Sequence, residues 1–175
     1  LSGFDSIFRH SVLATDIDNA ESSILSNITT VKLRKTISPT LGQSKGYEIE
    51  FGDGNKFYNP HLGHNKHGGG ITTTTGFKVS GFTDTFFFDD DGEGNLRRYS
   101  LSGSERVYAD SQAGTIDYTN GKIVLNSLNV TSVGNVDGAT STAVRLTVIP
   151  NSVDVVPVRN QVLQIDETNT TVTVT

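Results

Sequence analysis

The sequence predicts an α+β protein that is mainly β, with one N-terminal amphipathic helix followed by about ten short, mostly antiparallel strands. Three observations carry this. Thr115-Ile116-Asp117-Tyr118 and Lys122-Ile123-Val124-Leu125 are strand-forming runs joined through Thr119-Asn120-Gly121, and Asn-Gly readily takes the positive φ angles of a tight hairpin turn. The chain is rich in Thr, Ser, Asn, Gly and Val, with 18 Gly but only 4 Pro, a balance that favours many short strands and turns. A single stretch near the start carries helical spacing.

Leu1 to Arg9 reads as an extended lead-in. From Val12 onward Leu13, Ile17, Ala20, Ile24 and Ile28 recur at steps of four, three, four and four, one face of a helix. Ser11 is placed to cap it, and Asp16, Asp18 and Glu21 lie toward its N-terminal half, where the helix dipole favours acids. The helix is expected to end near Asn27, because Ile28-Thr29-Thr30-Val31 is a β-branched run. Thr30 to Ile37 then alternates polar and apolar residues apart from Lys35, and Pro39 ends that strand. Residues 1–40 therefore read as a helix-strand lead-in segment, and residues 41–175 as a β-rich domain.

Within that domain Tyr47 to Phe51 alternates cleanly before the turn chemistry of Gly52-Asp53-Gly54-Asn55. Residues 59–70 have no periodicity and read as a long surface loop. Gly76 to Ser80 is a short strand. Phe86-Phe87-Phe88 and Leu96 to Leu101 flank an acidic turn and predict a second hairpin with a solvated tip. The three phenylalanines cannot share one face, so that strand is either buried on both sides or covers a partner. Glu105 to Tyr108 adds a strand before the Asn-Gly hairpin. Val144 to Ile149 and Gln161 to Ile165 are strands separated by a crossing whose Pro150 and Pro157 exclude a central strand. The tail, Thr170 to Thr175, is β-prone. The chain opens on Leu1 and holds no Met, as expected of a piece of a longer protein.

A formal net charge of -5 disfavours nucleic-acid binding by counterion release, which needs a dense basic face. The absence of Cys removes disulfides, thiolate metal sites and a Cys nucleophile together. No run approaches the roughly 20 apolar residues of a membrane-spanning helix.

His61, His64 and His67 are weak metal candidates: three imidazoles can ligate one transition metal, but the surrounding Pro60, Gly63 and Gly68-Gly69-Gly70 argue against the helix that would align them. Asp89, Asp91 and Glu93, followed by Gly94, are a second weak set, since alternating oxygens there partly match the opening of a calcium loop. The match fails at its last position, where a bidentate Glu is needed and Ser100 stands. Neither a phosphate loop nor a serine on a strained turn with an activating histidine is present in the sequence, so no cofactor and no enzymatic activity are expected. Arg97-Arg98 and Lys32-Arg34-Lys35 read as wet sheet faces or interface ion-pair donors.

The stretches "GTIDYTNGKIVLNSLNV" and "VRLTVIPNSVDVVPVRNQVLQID", with "FRHSVLATDIDNAESSILSNITTVKLRKTISP" upstream, resemble the baseplate wedge proteins of T4-like contractile-tailed phages, the gene-product-six type related to the baseplate J family, in their C-terminal part. The resemblance is most specific over residues 105–166 and brings no catalytic motif. It implies a virion structural protein of the phage tail, assembled in the host cytoplasm. Such a protein pairs with copies of itself, as a homodimer or ring, and with other baseplate wedge proteins around the hub. Apart from the resemblance, Val155, Val156, Val158 and Arg159 in the crossing are contact candidates, with Phe86 and Phe88 behind them. The alternative is a β-sandwich adhesin or carbohydrate-binding module, whose platform would have to use Tyr47, Tyr58, Tyr99, Tyr108 or Tyr118 for want of Trp.

Overall fold

The computed structural model describes residues 9–22, 27, 31–51, 56–59, 71–73, 75–135 and 141–151. They form one helix, α1 (His10–Ala20), and nine strands: β1 (Leu33–Ile37), β2 (Ser44–Glu50), β3 (Ile71–Thr73), β4 (Phe77–Val79), β5 (Phe86–Asp90), β6 (Asn95–Ser102), β7 (Glu105–Asp117), β8 (Lys122–Val133) and β9 (Val144–Val148). The fold is α+β and mainly β, with every strand pairing antiparallel.

The strands run in the order β1-β9-β3-β5-β4-β8-β7-β6, β2 lies on β8, and a further pairing of β5 with β6 closes β5, β4, β8, β7 and β6 into a five-stranded ring. Closure removes free edges within the ring, and it replaces the two stacked sheets that the adhesin alternative requires. The interior is filled by Phe77, Phe86, Phe88, Leu96, Ile123, Leu125 and Val130, all buried, while Val144, Leu146 and Val148 of β9 extend the core beneath β1. Phe77 and Phe88 pack with their ring planes tilted by 31° and centroids 4.7 Å apart. Burying each such side chain stabilises the fold by roughly 1.5–3 kcal/mol.

Two features of the N-terminal elements add to what the sequence suggests. α1 stops at Ala20, is preceded by Arg9 and not Ser11 as the capping position, and buries none of its residues. Ser11 instead offers its carbonyl to the Thr15 hydroxyl at 2.9 Å. Asn27 turns back on the helix, donating through Nδ2 to the Ala14 carbonyl at 3.1 Å and to Asp18 Oδ1 at 2.6 Å. β1, assigned by sequence to the lead-in segment, is hydrogen-bonded to β9 from Leu33↔Val148 to Ile37↔Val144, and so belongs to the same sheet as the rest.

The predicted strands at Glu105 and Thr115 are one 13-residue strand, β7. It faces the eight-residue β6 through register shifts between Leu96 and Arg98 and between Arg98 and Tyr99, bulges that absorb its extra length. At Gly114 the strand is paired on both sides, with Leu96 and with Leu125, and a Cβ there would meet the Val124 carbonyl oxygen at 2.3 Å. Only glycine admits that approach. The β7–β8 hairpin forms as predicted, but Asp117 organises its turn, its Oδ1 accepting from the amides of Thr119 and Asn120 at 3.0 and 2.9 Å. β3 was not visible in the sequence, because Ile71-Thr72-Thr73 is too short to carry an alternation.

Candidate interaction surface

Alternation along β5 divides its residues between two faces. Phe86, Phe88 and Asp90 point one way and Phe87 and Asp89 the other. The pairings Phe87↔Tyr99 and Asp89↔Arg97 to β6, and Tyr99↔Tyr108 and Leu101↔Arg106 from β6 to β7, gather the second set into one patch across three strands.

Asp89 is its centre. The residue is fully buried, yet its carboxylate accepts from Arg97 Nε at 3.0 Å and Nη2 at 3.2 Å, from Arg106 Nη1 at 2.6 Å and from the Tyr108 hydroxyl at 2.9 Å. A buried carboxylate is costly unless its lone pairs are met by charged donors, and here two guanidinium groups and a phenol meet them. The rings lock the same groups from above. Tyr99 stacks on Phe87 at 5.7 Å, the Arg97 guanidinium lies 4.4 Å from the Tyr108 ring centroid, and that of Arg106 lies 4.8 Å from the ring centroid of Tyr99. Burial raises the Tyr99 phenol above its ordinary range, and the Asp89 charge adds to that against the opposing pull of Arg106. Burial alone would lower the Arg106 guanidinium, but Tyr99, Tyr108 and Asp89 outweigh it and hold it more firmly protonated.

The patch lies next to a hairpin end that projects. The β5 pairing with β6 ends at Phe86↔Ser100, whereas β6 and β7 continue to pair with each other as far as Ser102↔Glu105. There Leu101 is 53%, Val107 51% and Tyr108 43% exposed. Phe82, in the connection before β5, is 51% exposed and stands edge-on to Phe86 at 5.4 Å.

No family model, curated protein or solved structure matches this chain. Its function is therefore argued from the surface itself.

The predicted sites divide unevenly. His61, His64 and His67, and the contact candidates Val155, Val156, Val158 and Arg159, lie outside the described residues. Phe86 and Phe88, put forward as contact residues, are 1% and 2% exposed core side chains, because the alternation of β5 turns both into the ring; Phe87 covers the outer face instead. The acidic turn is not the solvated tip its sequence suggests. Asp90 is buried and its Oδ2 accepts from the Tyr118 hydroxyl at 2.8 Å. Asp91 organises the turn, its Oδ1 accepting from the Glu93 amide at 2.7 Å and the Asn95 amide at 2.9 Å, and its Oδ2 from Asn95 Nδ2 at 2.6 Å. With Asp89 committed to arginines, the calcium ligand set of Asp89, Asp91 and Glu93 does not assemble, and no group of three metal-ligating residues occurs among the described residues. The tyrosines offered as a glycan platform fall in three places: Tyr99 and Tyr108 are register partners in the patch, with ring centroids 5.9 Å apart, Tyr58 and Tyr118 line a cavity of about 180 Å³, and Tyr47 accepts from the Thr40 amide at 3.0 Å.

Arg106 was missed as a site residue, and Tyr108 was named only for the glycan platform of the alternative reading. The signal was present as Glu105-Arg106-Val107-Tyr108, an Arg and a Tyr two apart on a strand and hence on one face. What it lacked was the buried partner that holds them.

Proposed function

We propose that this chain is a virion structural protein, a phage tail baseplate wedge component that works by protein contact and not by catalysis. It binds copies of itself and other wedge proteins in the ring around the hub. Two things support the reading: the resemblance of residues 105–166 to wedge proteins, and the projecting β6–β7 hairpin, whose Arg106 and Tyr108 are held by buried Asp89 beside the exposed Leu101 and Val107. The hairpin is the observation that carries it. Tyr and Arg side chains held rigid on a surface dominate contact energies, since little conformational entropy remains to be lost on docking.

Among the described residues no helix is long and apolar enough to cross a membrane, and the resemblance is what supports a place in the tail baseplate of the virion. The test is light scattering of the chain over a wide concentration range, alone and mixed with purified contractile-tail baseplate wedges. A defined dimer, ring-sized species or wedge complex is expected, abolished in the double variant Leu101→Asp, Val107→Asp with circular dichroism unchanged. A chain that stays monomeric, fails to join wedges and binds a glycan array through Tyr108 overturns the reading in favour of an adhesin.

A further inference from the structure

Arg98, next to the doubly paired Arg97, is in the opposite condition. It lies in register with Phe88 on β5 and Asp110 on β7, and is only 8% exposed. Its guanidinium lies against two rings, 5.0 Å from the centroid of Phe86 and 5.6 Å from that of Phe82. Its buried Nε has no hydrogen-bond partner, and among the described residues the side chain forms no ion pair. Asp110, the nearest acid in register, instead accepts from the Gln112 amide at 2.9 Å. Ring faces return only part of what a guanidinium loses on leaving water, so the site is incomplete without an anion.

We infer that Arg98 and Phe82 form a carboxylate-binding site for an acidic segment of a protein partner, an inference that rests on the contact reading above. The planar guanidinium fork matches a carboxylate in two parallel hydrogen bonds. Half-exposed Phe82 and the exposed Val107, whose register partner Ser100 stands opposite Phe86, give an apolar rim. The occupant is therefore an Asp or Glu side chain flanked by an apolar residue. Charge complementarity argues for it: in a chain of net charge -5, this cation has no ion-pair partner among the described residues and lies beside the half-exposed Phe82.

The test is titration of the intact chain with N-acetyl-glutamate methylamide, followed by the arginine Nε–Hε resonances, with the glutamine analogue and inorganic phosphate as controls. A saturable shift at Arg98 is expected, at least about tenfold tighter for the glutamate probe than for its neutral analogue. Arg98→Met should lose that binding while melting at the same or a higher temperature, since an unpaired buried charge is removed. Phe82→Ala, at a half-exposed position, should fold normally and bind more weakly. Equal shifts with the glutamine analogue, tighter binding of phosphate, or unaltered binding by Phe82→Ala would overturn the site. Glutamate binding without any assembly leaves this site standing and sinks the contact reading; assembly without glutamate binding does the reverse.

Discussion

The shortest of the contacts on the buried Asp89 carboxylate comes from Arg106, 17 residues later in the chain, with Nη1 2.6 Å from Oδ2. Three strands meet in this relationship. β5 supplies the acid, β7 the base, and β6 between them supplies Arg97, so the ion pair reports whether the ring is closed at its β5–β6 seam.

Asp89→Asn should therefore destabilise the fold by about 2–3 kcal/mol, below the 3–5 typical of a broken fully buried pair because both arginines reach water. Arg106→Ala should cost less, about 1 kcal/mol, since Arg97 still neutralises the carboxylate. Urea unfolding of the two variants measures the difference. Equal losses would mean that Arg97 does not compensate.

Tyr118 donates to buried Asp90, and its phenol is pushed upward by burial first and by the Asp90 charge second. A folded-state value above the unfolded one means that this stability is intact below the ordinary tyrosine value of about 10 and is lost as pH rises beyond it. Chemical denaturation between neutral pH and strong alkali should show that decline. Tyr118→Phe should be about 1.5–3 kcal/mol less stable at neutral pH and should decline less steeply, with Tyr99 and Lys122, both also raised, contributing to the slope that remains.

At the acid end the turn carboxylates decide. Burial would raise Asp91, but the Asn95 side chain and the amides of Asn95 and Glu93 outweigh it and hold it low; Asp117 is held low first by the Asn120 side chain and then by its amide. Depressed carboxylates give stability that is present above their ordinary value of about 4 and fades as pH falls below it. Asp91→Asn and Asp117→Asn should each flatten the acid limb of a stability–pH curve. An unchanged limb in both would place the acid sensitivity elsewhere.

Gly114→Ala sets a Cβ against backbone, 2.3 Å from the Val124 carbonyl oxygen, which cannot swing aside. A loss of about 2 kcal/mol or more is expected. Gly103→Ala, in open space with φ +63, should cost only about 1 kcal/mol from its left-handed backbone. Thermal melts of the pair separate crowding from backbone strain.

Local pattern accounts for much of the fold. The helical spacing from Val12, the alternation in Tyr47 to Phe51, the acidic hairpin and the Asn-Gly hairpin all return as elements, because each signal lies within a few residues. Element ends were less legible: α1 ends at Ala20, and β7 runs unbroken through Ala109 to Gly114 because bulges let it follow β6. The site was legible only in fragments. Phe86-Phe87-Phe88 showed that rings must lie on both faces of the strand, but not which of them would be core.

The sequence by itself determined the class of the protein, a mainly β chain with one short helix, through turn chemistry, alternation and composition. Tertiary structure alone decided the closure of five strands into a ring and the burial of Asp89 and Asp90. It also set apart two adjacent arginines, Arg97 with two bonds to a carboxylate and Arg98 with none among the described residues. The physical reason is register. Adjacent strand residues face opposite ways, so what each side chain meets depends on which strand, many residues distant, is paired alongside.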